Sequence, residues 1–369
     1  MKHKKIAVIF LGDYRYDGRC FNMVNSMIAE KYLVDIYHVS KNSNQPGHIQ
    51  SNRLKVLTIN PVSTKILKYV HWTFLIYNII KKKTYDNIIA SDFYSLVPVC
   101  LIKHSKNIIY DSREIYTELA AHYKSPLKKK LIKYVEKWCV QNTSCIITSA
   151  KSDTNYLKKM YSDVNIQYHT LFNFPPKLHC NNKSNYLREK YNIKNHQNIL
   201  LYQGVLQPGR GIKQMIQIVY NTNYNVGIII GDGELKKYYK KYVYEKKLMN
   251  KIYFIDSIPY VHLLKITASA DIGFAFIHSL GISYKYALPN KLFEYAMCGI
   301  PCIASGLPNL KEYIKKHSLG VCVTNELTQQ IQVVSFLSQA NQKKYYFNNR
   351  GKDNLSWESQ EKKFLNILQ

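Results

Sequence analysis

The sequence predicts an α/β protein of two domains, each built on a parallel sheet with helices on both faces. The chain has 369 residues, too many for one ordinary hydrophobic core, and 46% of them are hydrophobic, enough to fill two. Short apolar runs of strand length alternate with longer segments of helical period. After a polar stretch at 181–185 the alternation starts again near residue 199.

Residues 5–11 are a continuous apolar run, which reads as a buried parallel strand. A loop at 12–19 follows, with Gly12, Arg15 and Arg19, then a helix at 21–30 and a strand at 33–39. No G-x-G-x-x-G follows the first strand, so no dinucleotide fingerprint is present. Gly12 lets the loop turn tightly or approach a ligand. Arg15 and Arg19 suit an anionic ligand, and plain exposed loop arginines explain them equally well. A strand at 55–59, a helix at 65–83, a strand at 88–90, a helix at 96–103 and a strand at 107–110 come next. The expected apolar face of helix 65–83 is Ile66, Tyr69, Val70, Phe74, Tyr77 and Ile80. The strand at 107–110 runs into Asp111, Arg113 and Glu114, more charge than a turn needs, where parallel sheets collect ligands.

Ser125 and Pro126 open a helix with a good N-cap pair. Its apolar face, Leu127, Leu131, Tyr134, Val135 and Trp138, is expected to pack on the sheet, with Lys128, Lys129, Lys130, Lys133 and Lys137 in water. A basic amphipathic helix of this kind also suits an anionic bilayer surface. A strand at 145–148 and a helix from 152 complete the first domain, which closes at 171–176.

In the second half a strand at 199–202 leads into a loop at 203–211 with Gly204, Gly209, Arg210 and Gly211 ahead of a helix from 212. Backbone amides at a helix N-terminus plus one arginine suit a diphosphate. A strand at 226–230 ends in Gly231, Asp232 and Gly233, where glycines let a ligand rest on the backbone. A strand at 251–255, a helix at 263–270 and a strand at 272–276 follow. Pro289 and Asn290 then precede a helix carrying Lys291 and Glu294, stopped by Gly299 and Pro301 before a short strand at 302–304. Lys291 brings positive charge to that helix N-terminus. Glu294, one turn on, can accept hydroxyl hydrogen bonds. An amphipathic helix at 355–368 ends the pattern.

The formal net charge of +28 is spread over both halves. It implies anionic partners, namely phosphates, an acidic membrane surface or nucleic acid, and part of it is compositional bias toward Lys, Tyr, Asn and Ile. The eight cysteines contain no C-x-x-C pair, and Cys298 with Cys302 lacks the companions of a zinc site. Reduced thiols in a cytoplasmic protein are expected. No signal peptide is expected, and the longest apolar stretch, 70–80, is about half a bilayer span. A soluble protein is expected, with peripheral binding at the inner face of the plasma membrane an open alternative.

The stretch PNKLFEYAMCGIPCIAS at 289–305 resembles the donor-binding motif of the GT4-type (group 1) retaining glycosyltransferases. The loop at 202–211 resembles that family's phosphate loop, and Asp111–Glu114 its D-x-H-E element. The resemblance implies a GT-B fold: two Rossmann-like parallel-sheet domains facing a central cleft, with a C-terminal helix crossing back. It assigns 1–182 to acceptor binding, 183–350 to nucleotide-sugar binding and 351–369 to the crossing helix. Arg210, Lys291 and Glu294 are the implied catalytic residues, with Glu294 on the ribose. Gly204, Gly209, Gly211, Gly231, Asp232, Gly233, Tyr286, Pro289 and Asn290 would line the donor site. Gly12, Arg15, Arg19, Asp111, Arg113 and Glu114 would lie on the acceptor side. The chain departs from the family at Val205, where an arginine is usual, at Arg113, where a histidine is common, and at Tyr286, where the first glutamate of an E-x7-E pair is expected.

The implied activity is metal-independent transfer of a hexose from a nucleotide diphosphate sugar, UDP-sugar favoured, to a glycan or lipid-linked acceptor in bacterial surface polysaccharide synthesis. No cofactor and no nucleic-acid partner are expected. An epimerase of the same fold and a basic nucleic-acid-binding protein are the alternatives. The latter lacks a recognisable reading motif.

Overall fold

The computed structural model describes residues 4–40, 49–62, 67–102, 107–119, 125–178, 184–339 and 353–369. Two compact units divide the chain: 1–172 together with 360–369, and 173–359. Of the polar stretch at 181–185, residues 181–183 fall outside the described residues.

The first unit holds a seven-stranded parallel sheet in the order β3-β2-β1-β4-β5-β6-β7. Its strands are β1 (Lys5–Phe10), β2 (Leu33–His38), β3 (Leu54–Thr58), β4 (Asn87–Ala90), β5 (Ile108–Ser112), β6 (Cys145–Thr148) and β7 (Gln167–Thr170). The helices are α1 (Gly18–Ala29), α2 (Leu67–Ile80), α3 (Phe93–Cys100), α4 (Pro126–Gln141) and α5 (Lys151–Met160). Every residue of β4, β5 and β6 is buried, as continuous apolar runs between two helical layers require. Strand β7 was not anticipated: Gln-Tyr-His-Thr at a sheet edge carries no apolar run.

The orientation of two helices differs from expectation. Helix α2 buries Trp72, Ile76 and Ile80, while Val70 and Phe74 of the expected core face are exposed. Ile66 lies outside the described residues. Helix α4 buries Ile132, Glu136, Cys139 and Val140, and turns Leu127, Leu131, Tyr134 and Trp138 to the outside. The reason is visible beneath α4. The hydroxyls of Tyr110 on β5 and Tyr161 donate to the two carboxylate oxygens of Glu136 at 2.7 and 2.8 Å. A buried carboxylate with both oxygens satisfied sets the helix phase against the simple apolar count.

The second unit repeats the plan with six parallel strands in the order β10-β9-β8-β11-β12-β13. Its elements in chain order are α6 (Tyr186–Tyr191), β8 (Asn198–Gln203), α7 (Ile212–Tyr220), β9 (Asn225–Ile230), α8 (Lys236–Glu245), β10 (Ile252–Ile255), α9 (Tyr260–Thr267), β11 (Ile272–Ala275), α10 (Ile282–Lys285), α11 (Asn290–Met297), β12 (Cys302–Ser305), α12 (Pro308–His317), β13 (Gly320–Val323) and α13 (Leu327–Ser338). Helix α11 lies close on the sheet. The Tyr295 ring fills the space that a side chain at Gly273 would need, 2.2 Å from an ideal Cβ, and its hydroxyl donates to the Leu201 carbonyl at 3.0 Å.

The final helix, α14 (Glu358–Ile367), belongs to the first unit from Gln360 onward. Gln360 accepts from the Phe172 amide at 2.8 Å and donates back to its carbonyl at 2.6 Å. Ser26 donates to Glu361, Asn87 donates to the Leu368 carbonyl, and Phe364 is fully buried. This helix returns to the first domain as expected.

Candidate functional site

In the second unit, the candidate residues gather where β8 ends. Its last residues, Tyr202 and Gln203, are buried, and Gly204 follows. The Tyr202 hydroxyl donates to the Val205 carbonyl at 2.7 Å, which curls the chain back at once. The loop is then stitched to the one after β9. The Gly204 amide donates to Ile230 at 3.0 Å, Leu206 to Asp232 at 2.9 Å, and Leu235 to Leu206 at 3.0 Å. Gly231, with φ +141°, must lack a side chain, since a Cβ would stand 2.0 Å from the Gly204 carbonyl oxygen.

Helix α11 starts at Asn290 with Pro289 as its N-cap and no side-chain capping bond. Its first-turn amides therefore lack the acceptor that a Ser or Asp cap would give. Lys291 projects from this turn over Tyr202, with Nζ 3.6 Å from the ring centroid. Nζ is also 3.7 Å from where a Cβ on Gly204 would sit, an ordinary contact, and it is the φ of +132° at Gly204 that favours glycine. The side chain is buried, and among the described residues Nζ has no hydrogen-bond partner. Burial, reinforced by the positive charge of Arg210 and partly offset by Glu294, pushes its pKa well below the usual lysine value.

Glu294, one turn further along α11, is buried and takes a hydrogen bond from the Gln203 amide. Gln203 in turn accepts from the Thr267 hydroxyl at 2.7 Å. The Thr267–Gln203–Glu294 chain fixes the carboxylate in place. Arg210 stacks on Tyr284, 4.8 Å from guanidinium to ring centroid. The Gln207 amide oxygen accepts from Arg210 Nε and Nη2 at 3.2 and 3.0 Å and from the Tyr284 hydroxyl at 2.7 Å. Gly209 lies against Leu280 and Tyr284, and Gly211 is the N-cap of α7. Neither α7 nor α11 has a side-chain cap, so two helix N-termini and two cations serve one corner of the sheet.

The remaining donor-side candidates are less central. Asp232 is exposed and pairs with Lys236 at 3.6 Å. Gly233 packs its backbone against Leu206. Tyr286 is half-buried; its carbonyl accepts from Asn309. Val205, in the position where the family usually has an arginine, is exposed. Gln203, Gln207, Tyr202, Tyr284 and Thr267 were not anticipated. Gln203, a polar residue closing an apolar strand, was the one signal available for them.

The first-unit candidates form a separate network at the ends of β1 and β5. Arg19 holds Asp111 through Nε and Nη2, the shortest contact being 2.6 Å. Arg113 bridges Asp111 at 3.0 Å and Asp17 at 2.7 Å and stacks on Phe10. Burial raises the Asp111 pKa, but Arg19 and Arg113 outweigh it and hold the carboxyl below its usual range. Arg15 is buried and binds Asp13 by two hydrogen bonds, of 2.9 and 2.6 Å, and Ser40. Gly12 sits over the Phe10 ring, and Glu114 is exposed. All three arginines are thus engaged with carboxylates of their own domain.

Residues 184–352 match the family model described as "Glycosyl transferases group 1". The chain carries a group 1 glycosyl transferase domain. Comparison with solved structures shows the GT-B fold over the whole chain. Sucrose-phosphate synthase from Thermosynechococcus elongatus superposes with a TM-score of 0.78 at 15% identity, covering 99% of this chain and 98% of that one. HepE from Anabaena, solved with UDP and glucose, superposes with a TM-score of 0.73 at 13% identity, covering 99% of each chain. In sequence, a chitobiosyldiphosphodolichol beta-mannosyltransferase from Candida albicans is 23% identical over 91% of this chain and 80% of its own length. Among the described residues, no three His, Cys, Asp or Glu side chains are placed to hold a metal ion. No helix among them is long and apolar enough to cross a membrane.

Proposed function

We propose that this glycosyltransferase takes a hexose from a nucleotide diphosphate sugar, UDP-sugar favoured, and passes it with retention to a hydroxyl of a glycan or lipid-linked acceptor. The observation that carries the reading is Lys291. A buried ammonium with no hydrogen-bond partner among the described residues is costly unless an anion completes it, and a diphosphate beside Gly204 would do so. Arg210 supplies the second cation, and the amides of α7 and α11 supply oriented donors. Glu294, held by Gln203, is set to accept from ribose hydroxyls.

In this reading the bond from the anomeric carbon to the diphosphate oxygen breaks as charge builds on the departing phosphate. Arg210, Lys291 and the helix amides stabilise that charge without a metal ion. The acceptor hydroxyl attacks from the same face, and its proton passes to the leaving phosphate oxygen. The Candida relative, whose name places its acceptor on a diphosphodolichol, supports a lipid-linked acceptor. HepE, solved with UDP, supports a uridine donor. We place the enzyme in surface polysaccharide synthesis at the cytoplasmic face of a membrane.

The test is nucleoside diphosphate release with the donor identified by a thermal-shift screen of uridine, guanosine and adenosine diphosphate sugars. Arg210→Ala and Glu294→Ala should each lower the rate on the order of 100-fold or more. Full activity in both variants would refute the site, and a product with inverted anomeric configuration would refute retention.

A further inference from the structure

We propose that the outward faces of α2 and α4 form a docking surface for an anionic lipid bilayer. The reasoning does not depend on the donor site. Helices α2, α3 and α4 pack against one hydrophobic core on one side of the first sheet, through Trp72 and Ile76, Leu96 and Val99, and Ile132 and Val140. Their opposite faces therefore point the same way. On α4 the outward stripe is Leu127, Leu131, Tyr134 and Trp138, a spacing of four, three and four residues, across the helix from the buried Ile132, Glu136 and Cys139. On α2 it is Leu67, Val70 and Phe74, across from Trp72, Ile76 and Ile80. Apart from Trp138 at 38%, these side chains are from 60% (Leu67) to 84% (Leu127) exposed. Single exposed apolar residues need no explanation, but a stripe along α4 and another over the first two turns of α2, facing one way, do.

Charge identifies the occupant. Lys128, Lys130 and Lys133 on α4 and Lys81 and Lys82 after α2 are exposed around the stripes. Glu136 is the single acidic residue of the two helices, and it is buried. At the flanks Lys129 pairs with Glu118 and Lys137 with Asp163. A second copy of this face would bring lysines against lysines. A nucleic acid would leave Leu127 and Leu131 without an apolar partner. A bilayer with anionic headgroups satisfies both sets at once, with Leu, Tyr and Trp at the acyl boundary and lysines at the phosphates. At 16 residues, α4 would lie in the plane of the interface.

The test is flotation of the full chain with phosphatidylcholine vesicles, with and without phosphatidylglycerol. Trp72 and Trp357 are buried, so a blue shift of tryptophan emission on binding reports Trp138. The parent should float with anionic vesicles, shift its emission and release in high salt. A Lys128→Gln/Lys130→Gln/Lys133→Gln variant should bind about 100-fold more weakly, as about fivefold per lysine implies. A Leu127→Gln/Leu131→Gln/Tyr134→Gln variant should lose about tenfold or more and the emission shift. Both alter exposed side chains and should keep the parent's melting temperature and nucleotide-sugar binding. Failure of the parent to float, equal binding to neutral vesicles, or unchanged binding in both variants would overturn the proposal.

Discussion

In the proposed donor site, Lys291 sets stability against function. Its amine is buried over Tyr202 with no hydrogen-bond acceptor among the described residues, and burial together with Arg210 lowers its pKa. Without an anion beside it the amine therefore releases its proton at a pH below the ordinary lysine range, and a bound diphosphate would restore it. Donor binding should take up a proton in that window, with affinity falling as pH rises through it. Calorimetry in buffers of different ionisation enthalpy measures the uptake. Lys291→Met should melt higher than the parent by a few degrees, about 1–2 kcal/mol, while losing the thermal shift produced by the nucleotide sugar. A variant that melts lower, or still responds to the donor, would contradict this account. Arg210, Lys291 and Glu294 could be picked out as candidates from the sequence because charge beside glycines and a helix start has few purely structural uses. Gln203 and Tyr284, which hold two of them, were not legible. Their importance arises from contacts between segments roughly 75–90 residues apart, as in Gln203 with Glu294 and Gln207 with Tyr284.

The two misread helices show where periodicity stops being informative. Helix α2 is apolar almost all round, so several stripes compete for the core and composition does not choose among them. In α4 the richer apolar stripe faces outward, and the phase is set by Glu136 beneath Tyr110 and Tyr161. Burial pushes the Glu136 carboxyl up to about 7 from an ordinary 4.5, although both tyrosine bonds work to lower it. Between these values the unfolded chain has lost the proton and the folded one keeps it, so stability falls as pH rises, and it levels off above about 7. The loss amounts to about 3 kcal/mol. Glu136→Gln retains one acceptor and one donor for the two hydroxyls and has no proton to lose. Its stability relative to the parent should therefore increase between pH 5 and pH 8 in urea unfolding, whereas a constant difference would show that Glu136 does not carry the shift. The strands of β4, β5, β8 and β9 were legible because each is an apolar run buried on both faces. The polar edge strand β7 offers no such run.

The two sheets share one strand order over their first six positions, counted from β3 and from β10, which is what a repeated α/β plan in the sequence implies. The restart near residue 199 was readable for that reason. The place where the chain changes domain was harder to read, because 171–176 is ordinary loop sequence and residues 360–369 rejoin the first unit from far along the chain, where Gln360 binds the Phe172 backbone. Removing residues 360–369 would expose the pocket of Phe364 and remove at least one hydrogen-bond partner each from Lys4, Ser26 and Asn87. Losing one buried aromatic costs about 3–5 kcal/mol. The truncated chain should therefore lose protease resistance and hydrogen-exchange protection throughout 4–172 while 184–339 keeps its own, and equal protection in both regions would contradict the assignment of α14 to the first domain. The same arrangement imposes an order on biosynthesis. On the ribosome the amino-terminal sheet emerges first but waits for a helix encoded nearly two hundred codons later, about 10–40 s at ordinary elongation rates. The carboxy-terminal sheet can be complete before its predecessor is sealed, which makes nascent chains of intermediate length the ones most in need of a chaperone.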